Sequence, residues 1–287
     1  MTTTSELDGQ LTAENRSIQI DGDSFVYRRF GNDQTDAPPL IGLQHFRGNL
    51  DSWDPALVDR LAQDREVILL DNRGVAGSTG VVPDNVTDMA RDALAFIDAL
   101  GLKEVDIFGF SLGGFVAQEL TLLRPRLVRR LVLAGTAAQG GPDLHRWSDT
   151  VFALATADQP TADDLLNLFF SPSQESRAKG AEYLQRAYER QDDRDAPTDL
   201  STRDAQLAAI TAWGIPDASR LNRLAGITQP TLVANGDDDR MMHTENSHLL
   251  AERLPNAELR VYPDANHGFL DQYPELFADD VAEFLNR

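Results

Sequence analysis

Residues 109–114 read Gly109-Phe110-Ser111-Leu112-Gly113-Gly114. They follow the apolar run Val105–Phe108 directly and precede ten residues without glycine or proline, closed by Pro125. A G-x-S-x-G segment between a strand and a helix is the setting of a nucleophile elbow. Such a turn is sharp, so the residues two places before and after the serine must lack side chains for strand and helix to approach. The helix that starts beneath the serine favours developing negative charge. The alternative is a glycine-rich strand-to-helix turn with a bystander serine. The spacing does not fit a dinucleotide fingerprint or a phosphate-cradling loop.

Outward from this segment, short apolar runs alternate with helical stretches: Leu40–Leu43, Val67–Leu70, Val105–Phe110, Leu127–Ala134, Thr231–Ala234 and Leu259–Tyr262. Several are apolar almost throughout, the pattern of strands covered on both faces of a mostly parallel sheet. Upstream, Ser17–Phe30 alternates around Asp21-Gly22-Asp23 and predicts a β-hairpin. Val86, Met89, Ala90, Ala93, Ile97 and Leu100 recur at helical spacing, with Gly101 placed to end that helix. A further helix is expected from Gly113 to Leu123, stopped before Pro125. Thr244 is expected to cap a helix ending near Leu254, and Pro274 to open the last one. Between Leu133 and Thr231 the alternation lapses into helices joined by polar links such as Gln191-Asp192-Asp193-Arg194-Asp195. The reading is α/β, with residues 15–139 and 225–287 as core, 140–224 as an inserted helical cap, and 1–14 as a polar, frayed extension.

A serine hydroxyl needs a base to act as a nucleophile. Of the five histidines, His267 stands in Asp264-Ala265-Asn266-His267-Gly268, immediately after the last expected strand. Strand C-terminal ends are where such sheets place their sites. His45 follows the first parallel strand and is expected to line the site. His145 and His243 fall on exposed segments and His248 within a helix. For an orienting acid, Thr231–Ala234 runs into Asn235-Gly236-Asp237-Asp238-Asp239, whose three adjacent carboxylates are indistinguishable by chemistry alone.

The composition bounds the partners. With 26 basic and 46 acidic residues among 287, the formal charge is −20. Such a field repels phosphate backbones and anionic lipid, so neither nucleic acid nor a membrane surface is an expected partner. Only Lys103 and Lys179 are lysines, a bias that fits a GC-rich genome or a high-salt habitat. The absence of cysteine excludes disulfides, a thiol nucleophile and thiolate metal sites. The first 30 residues lack a basic n-region followed by an apolar stretch, which predicts a cytoplasmic protein. No H-E-x-x-H occurs, and Asp237–Asp239 lacks the spacing of a calcium loop, so no metal or cofactor is expected.

Four features in chain order resemble the α/β-hydrolase fold, in its esterase, enol-lactonase and cofactor-free perhydrolase grouping. They are Gln44-His45-Phe46-Arg47-Gly48, Asp71-Asn72-Arg73-Gly74-Val75-Ala76-Gly77-Ser78, the elbow, and Gly236-x-x-Asp239 followed by His267-Gly268. The resemblance runs from Pro39 to the C-terminus and is weakest in the cap. It implies a mostly parallel sheet with helices on both faces and an inserted helical cap. It further implies Ser111 as nucleophile, His267 as base and Asp239, three residues after the glycine, as orienting acid; the order Ser, Asp, His is the fold's own. Relatives carry His-Gly-x after the first parallel strand, with the amide of x in the oxyanion hole. Aligning the strand here makes Phe46 that donor, and aligning histidine with histidine makes it Arg47. The spacing to Trp53 favours Phe46, with the Leu112 amide as the second donor.

A serine at the elbow argues against the haloalkane dehalogenase and epoxide hydrolase branches, which carry an aspartate there. His45 and Arg47, with the cap residues Trp147 and Trp213, are expected to line the substrate pocket. Cap aromatics such as Phe152, Phe169 and Phe170 either join them or pack between helices. The expected activity is cleavage of a small carboxylic ester or lactone through acyl-Ser111. Perhydrolysis and carbon–carbon bond hydrolysis use the same three residues. A ligand receptor that keeps the three residues without turnover is the competing class.

Overall fold

The structure, a computed structural model, describes residues 8–144 and 147–287. A two-residue turn starts the sheet. Asp21 and Gly22 both take positive φ (52° and 93°), the geometry whose twist matches that of paired strands. They join β1 (Arg16–Ile20) to β2 (Asp23–Gly31) in register, Ile20 opposite Asp23. The remaining strands are β3 (Leu40–Leu43), β4 (Glu66–Leu70), β5 (Val105–Phe110), β6 (Val128–Ala134), β7 (Thr231–Gly236) and β8 (Ala257–Tyr262). They form one eight-stranded sheet in the order β1-β2-β4-β3-β5-β6-β7-β8. β2 pairs antiparallel with β1 and β4, and all other pairs are parallel.

β3, β5 and β7 are buried along their whole length, as their unbroken apolar runs require when helices cover both faces. α1 (Pro55–Leu61) packs on the helix Pro274–Leu285, and α2 (Val86–Ala99) on α3 (Leu112–Leu123). Asn85 caps α2 by accepting from the Asp88 amide, and Gly101 follows it at φ 75°. α8 (Thr244–Arg253) departs from expectation: its N-cap is His243, and the Thr244 hydroxyl instead donates to the Gly236 carbonyl at 2.6 Å. That bond pins α8 to the end of β7. Between β6 and β7 lie α4 (Asp149–Ala155), α5 (Ala162–Phe169), α6 (Gln174–Ala187) and α7 (Leu200–Gly214), with a 3-10 helix at Arg220–Gly226.

The expected fraying of residues 1–14 does not hold for 8–14, its described part. Gln10 and Ala13 are buried, and the Arg190 guanidinium gathers the carbonyls of Gln10, Leu11 and Ala13 at 3.1, 3.0 and 2.9 Å. One cation past α6 orders a polar segment that has no apolar pattern of its own. Among the described residues, no helix is long and apolar enough to cross a membrane.

Candidate active site

The parallel strands deliver their C-terminal ends to one edge of the sheet, and the site is assembled there. Ser111 stands between β5 and α3 at φ 56°, ψ −119°, a backbone setting that residues with a β-carbon rarely adopt. The surrounding glycines are required by contact. A Cβ on Gly109 would lie 2.5 Å from the Gly113 carbonyl oxygen, and one on Gly113 would overlap the Leu43 carbonyl of the neighbouring strand. The turn is held further by Ser111 N–H to the Ala134 carbonyl (2.9 Å) and by the Thr136 hydroxyl to the Ser111 carbonyl (2.8 Å).

His267 follows β8. Its Nε2 lies 2.9 Å from Ser111 Oγ and its Nδ1 2.8 Å from Asp239 Oδ2. All three residues are buried. With the carboxylate as acceptor only, the proton on Nδ1 points at Asp239 and Nε2 is left to accept from the serine hydroxyl. The other carboxylate oxygen, Oδ1, accepts from the Met241 and Met242 amides, each at 2.8 Å. The two adjacent carboxylates are engaged elsewhere. Asp237 accepts from the Ala265 amide at 3.0 Å, and exposed Asp238 pairs with Arg240 at 2.6 Å.

Asn266 is the functional neighbour that the sequence reading passed over. It is fully buried, and its Oδ1 accepts from both the Arg240 and His267 amides at 2.9 Å. One side chain thus clamps the acid-bearing loop to the base-bearing loop. Its adjacency to His267 was the only signal available. Phe110 stacks on the His267 ring at 5.0 Å, while Phe169 meets it edge-on at 5.4 Å.

The loop after β3 forms the opposite wall. His45 is half-buried, with its ring edge-on to Phe110 and Phe169. Its Nδ1 lies 2.8 Å from the Phe46 carbonyl, which can only accept, so Nδ1 carries the proton. Burial first, and the nearby His267 in addition, push His45 down to about 4. In this loop the His45 amide donates to Gln44 Oε1, the Arg47 amide to Gln206 Oε1, and the Gly48 amide to the His45 carbonyl. The Phe46 amide has no acceptor among the described residues. The Leu112 amide, at the first position of α3, has no intrahelical acceptor.

Ser111, His267, His45, Phe46 and Arg47 open onto one cavity of about 410 Å³. Leu154, Leu165, Leu168 and Phe169 supply an apolar side, and Asn49, Ser52, Arg194 and Asp195 a polar one. Trp147 and Trp213, expected in this lining, are not in it. The Trp213 indole stacks on Phe115 of α3 at 5.2 Å and donates to the Ala137 carbonyl, which fixes it in the seam between α7 and the core. Trp147 lies behind Phe46 at 6.0 Å and donates to the Met241 carbonyl. Each indole N–H needs a partner on burial: Trp213 finds one at Ala137, outside the lining, and Trp147 at Met241, a residue of the lining, from behind it. Phe152 is half exposed. His243 and His248 are not part of the lining, and His145 lies outside the described residues.

The sheet order, the elbow and this arrangement at the strand ends define a class. The α/β hydrolase fold family matches residues 38–274, and the chain belongs to that family; it is a hydrolase of this fold. Among solved structures it is similar to an α/β hydrolase fold protein from Chitinophaga pinensis, 42% identical with a TM-score of 0.91, covering 97% of this chain and 99% of that one. A Rhizobium rhizogenes protein provisionally named carbamate hydrolase RutD is 29% identical over 262 residues, 89% of this chain and 95% of the relative. The enol-lactonase of Burkholderia xenovorans, 22% identical, shares the fold at a TM-score of 0.76 over 95% of this chain and 100% of its own.

Proposed function

We propose that this hydrolase cleaves a small carboxylic ester or lactone by acyl transfer to Ser111, with His267 as general base and Asp239 as its orienting acid. The observation that carries the reading is the continuous path Asp239 Oδ2–His267 Nδ1 (2.8 Å) and His267 Nε2–Ser111 Oγ (2.9 Å), ending at the cavity wall. His267 takes the hydroxyl proton as Ser111 Oγ attacks the carbonyl carbon. The oxyanion that forms would lie against the Phe46 and Leu112 amides, two N–H groups at this edge with no acceptor among the described residues. Collapse of the tetrahedral species breaks the acyl–oxygen bond, and the imidazolium returns its proton to the leaving alkoxide. Water then repeats the sequence on the acyl-serine and releases the acid.

The engagement of the Arg47 amide by Gln206 supports Phe46 over Arg47 as the loop's donor. A carbamate presents the same ester-type carbonyl, so the provisional name of the RutD relatives points to a substrate that competes within this chemistry rather than against it. Purified protein is expected to give a burst of p-nitrophenol from p-nitrophenyl acetate followed by steady turnover, and Ser111→Ala to give neither. A stoichiometric burst without turnover would favour a slow receptor on the same fold, and neither burst nor turnover would reject the acyl-serine route.

A further inference from the structure

We infer that Gln206, a cap residue on α7, is a positioning residue for the oxyanion-hole loop, so that the inserted helices set transition-state stabilisation as well as the cavity. The inference rests on the acyl-Ser111 reading for its catalytic consequence, but not for its geometry.

Gln206 is buried, and its Oε1 accepts the Arg47 amide at 2.7 Å across 159 residues of chain. Arg47 needs that hold. It stands at φ 62°, a left-handed setting disfavoured for a residue with a β-carbon and maintained only where surroundings over-determine it. The peptide that Phe46 and Arg47 share, and hence the direction of the neighbouring Phe46 N–H, depends on this strained turn. The same cap grips the loop twice more. The Thr198 hydroxyl donates to the Arg47 carbonyl at 3.2 Å, and Arg47 Nη1 donates to the Ala157 carbonyl at 2.6 Å. Within the loop the Gly48 amide closes a turn onto the His45 carbonyl, whereas the Arg47 amide finds its acceptor only in the cap. With the Arg47 amide occupied, Phe46 is left as the free donor facing the cavity that holds Ser111.

The test compares Gln206→Leu, which removes the acceptor, with Gln206→Glu, which keeps it. Gln206→Leu is expected to lower kcat for p-nitrophenyl esters by about 10- to 100-fold, part of the 10²–10³ that loss of one oxyanion donor costs. KM should stay within about threefold, and Gln206→Glu should recover most of kcat. Inhibition by a trifluoromethyl ketone, whose Ser111 adduct bears the oxyanion, should weaken in parallel with kcat. Independently of any turnover, hydrogen exchange at the Arg47 amide should be slow in the wild type and in Gln206→Glu, and fast in Gln206→Leu. Gln206→Met, which keeps side-chain length and packing, serves in the same comparison if the leucine variant does not fold. Unchanged Arg47 exchange on loss of the acceptor would overturn the inference, as would a loss confined to KM or one that glutamate fails to rescue. Slow Arg47 exchange in a wild-type protein that shows neither burst nor turnover with esters would instead reject the acyl-serine reading and leave the hydrogen bond standing.

Discussion

The two walls of the cavity are built on different logic. On one side, Asp239 and His267 are held by the ends of β7 and β8: Met241, Met242 and Asn266 come from the same two loops, within 28 residues of one another. On the other, the loop 44–48 is held by the insertion, through Gln206, Thr198 and Ala157. The insertion reaches the first wall too, but its hydrogen bonds there end on Gly268, Asp264 and the Met241 carbonyl rather than on the Asp239 carboxylate or the His267 ring. The second wall, which the proposed mechanism sets against the acyl group, depends on helices outside the sheet. On the proposed mechanism, replacing the cap of such a hydrolase would also disturb the loop that carries Phe46.

The comparison breaks most severely at the junction between the walls. Ser111→Ala is expected to cut kcat by on the order of 10⁶, the scale for losing such a nucleophile, while the thermal midpoint stays near that of the wild type. More than a tenth of the activity remaining would remove Ser111 from the chemistry. The next largest effect tests the sheet-held wall. In Asp239→Asn the oxygen can keep the Met241 and Met242 amides, which turns the amide nitrogen toward His267 Nδ1 and forces the wrong tautomer. A loss of about 10⁴ in kcat is the precedent. Asp237→Asn and Asp238→Asn should stay within a few-fold of wild type, and equal losses in all three would reject Asp239 as the orienter.

A smaller effect sharpens the same wall. Asn266→Ala leaves the Arg240 and His267 amides without their acceptor, which costs about 1–3 kcal/mol per buried group. Activity should fall about tenfold, with a lower denaturant midpoint. A stability loss with kcat intact would make Asn266 a clamp without catalytic consequence.

The smallest effect lies on the cap-held wall. His45, at about 4 in the folded protein against 6.5 unperturbed, resists a proton that the unfolded chain accepts. Its contribution is therefore present above pH 6.5 and is lost as the pH falls from there toward 4, below which it changes no further. His45→Gln should flatten that part of the stability curve. It should also leave ester turnover within a few-fold of wild type, whereas His267→Gln should abolish it. Activity lost in His45→Gln and spared in His267→Gln would exchange the two histidines' roles.

The same division explains what could be read from the chain. The elbow, the hairpin turn and the strand runs are local patterns, fixed by close contacts and by alternation over a few residues. The α/β-hydrolase fold follows from them. Asp239 was separable from its neighbours only through the resemblance, since the distinction lies in which carboxylate meets His267 across 28 residues. The contacts of the cap were not legible. Trp213 and Trp147 were expected in the cavity, but the placement of an aromatic ring depends on which indole N–H finds a distant carbonyl. Arg190 ordering residues 10–13, and Gln206 holding Arg47, join positions more than 150 residues apart with no shared motif.

The backbone at Ser111 sets stability against selection. At φ 56° the position suits glycine, and the side chain that makes the residue useful is the one that strains it. Ser111→Gly should therefore unfold at a higher denaturant concentration than Ser111→Ala, by about 1 kcal/mol, although both are inert. A lineage no longer selected for turnover would gain stability by giving up its own nucleophile. On the acyl-serine reading, turnover is the reason a serine and not a glycine stands on that turn.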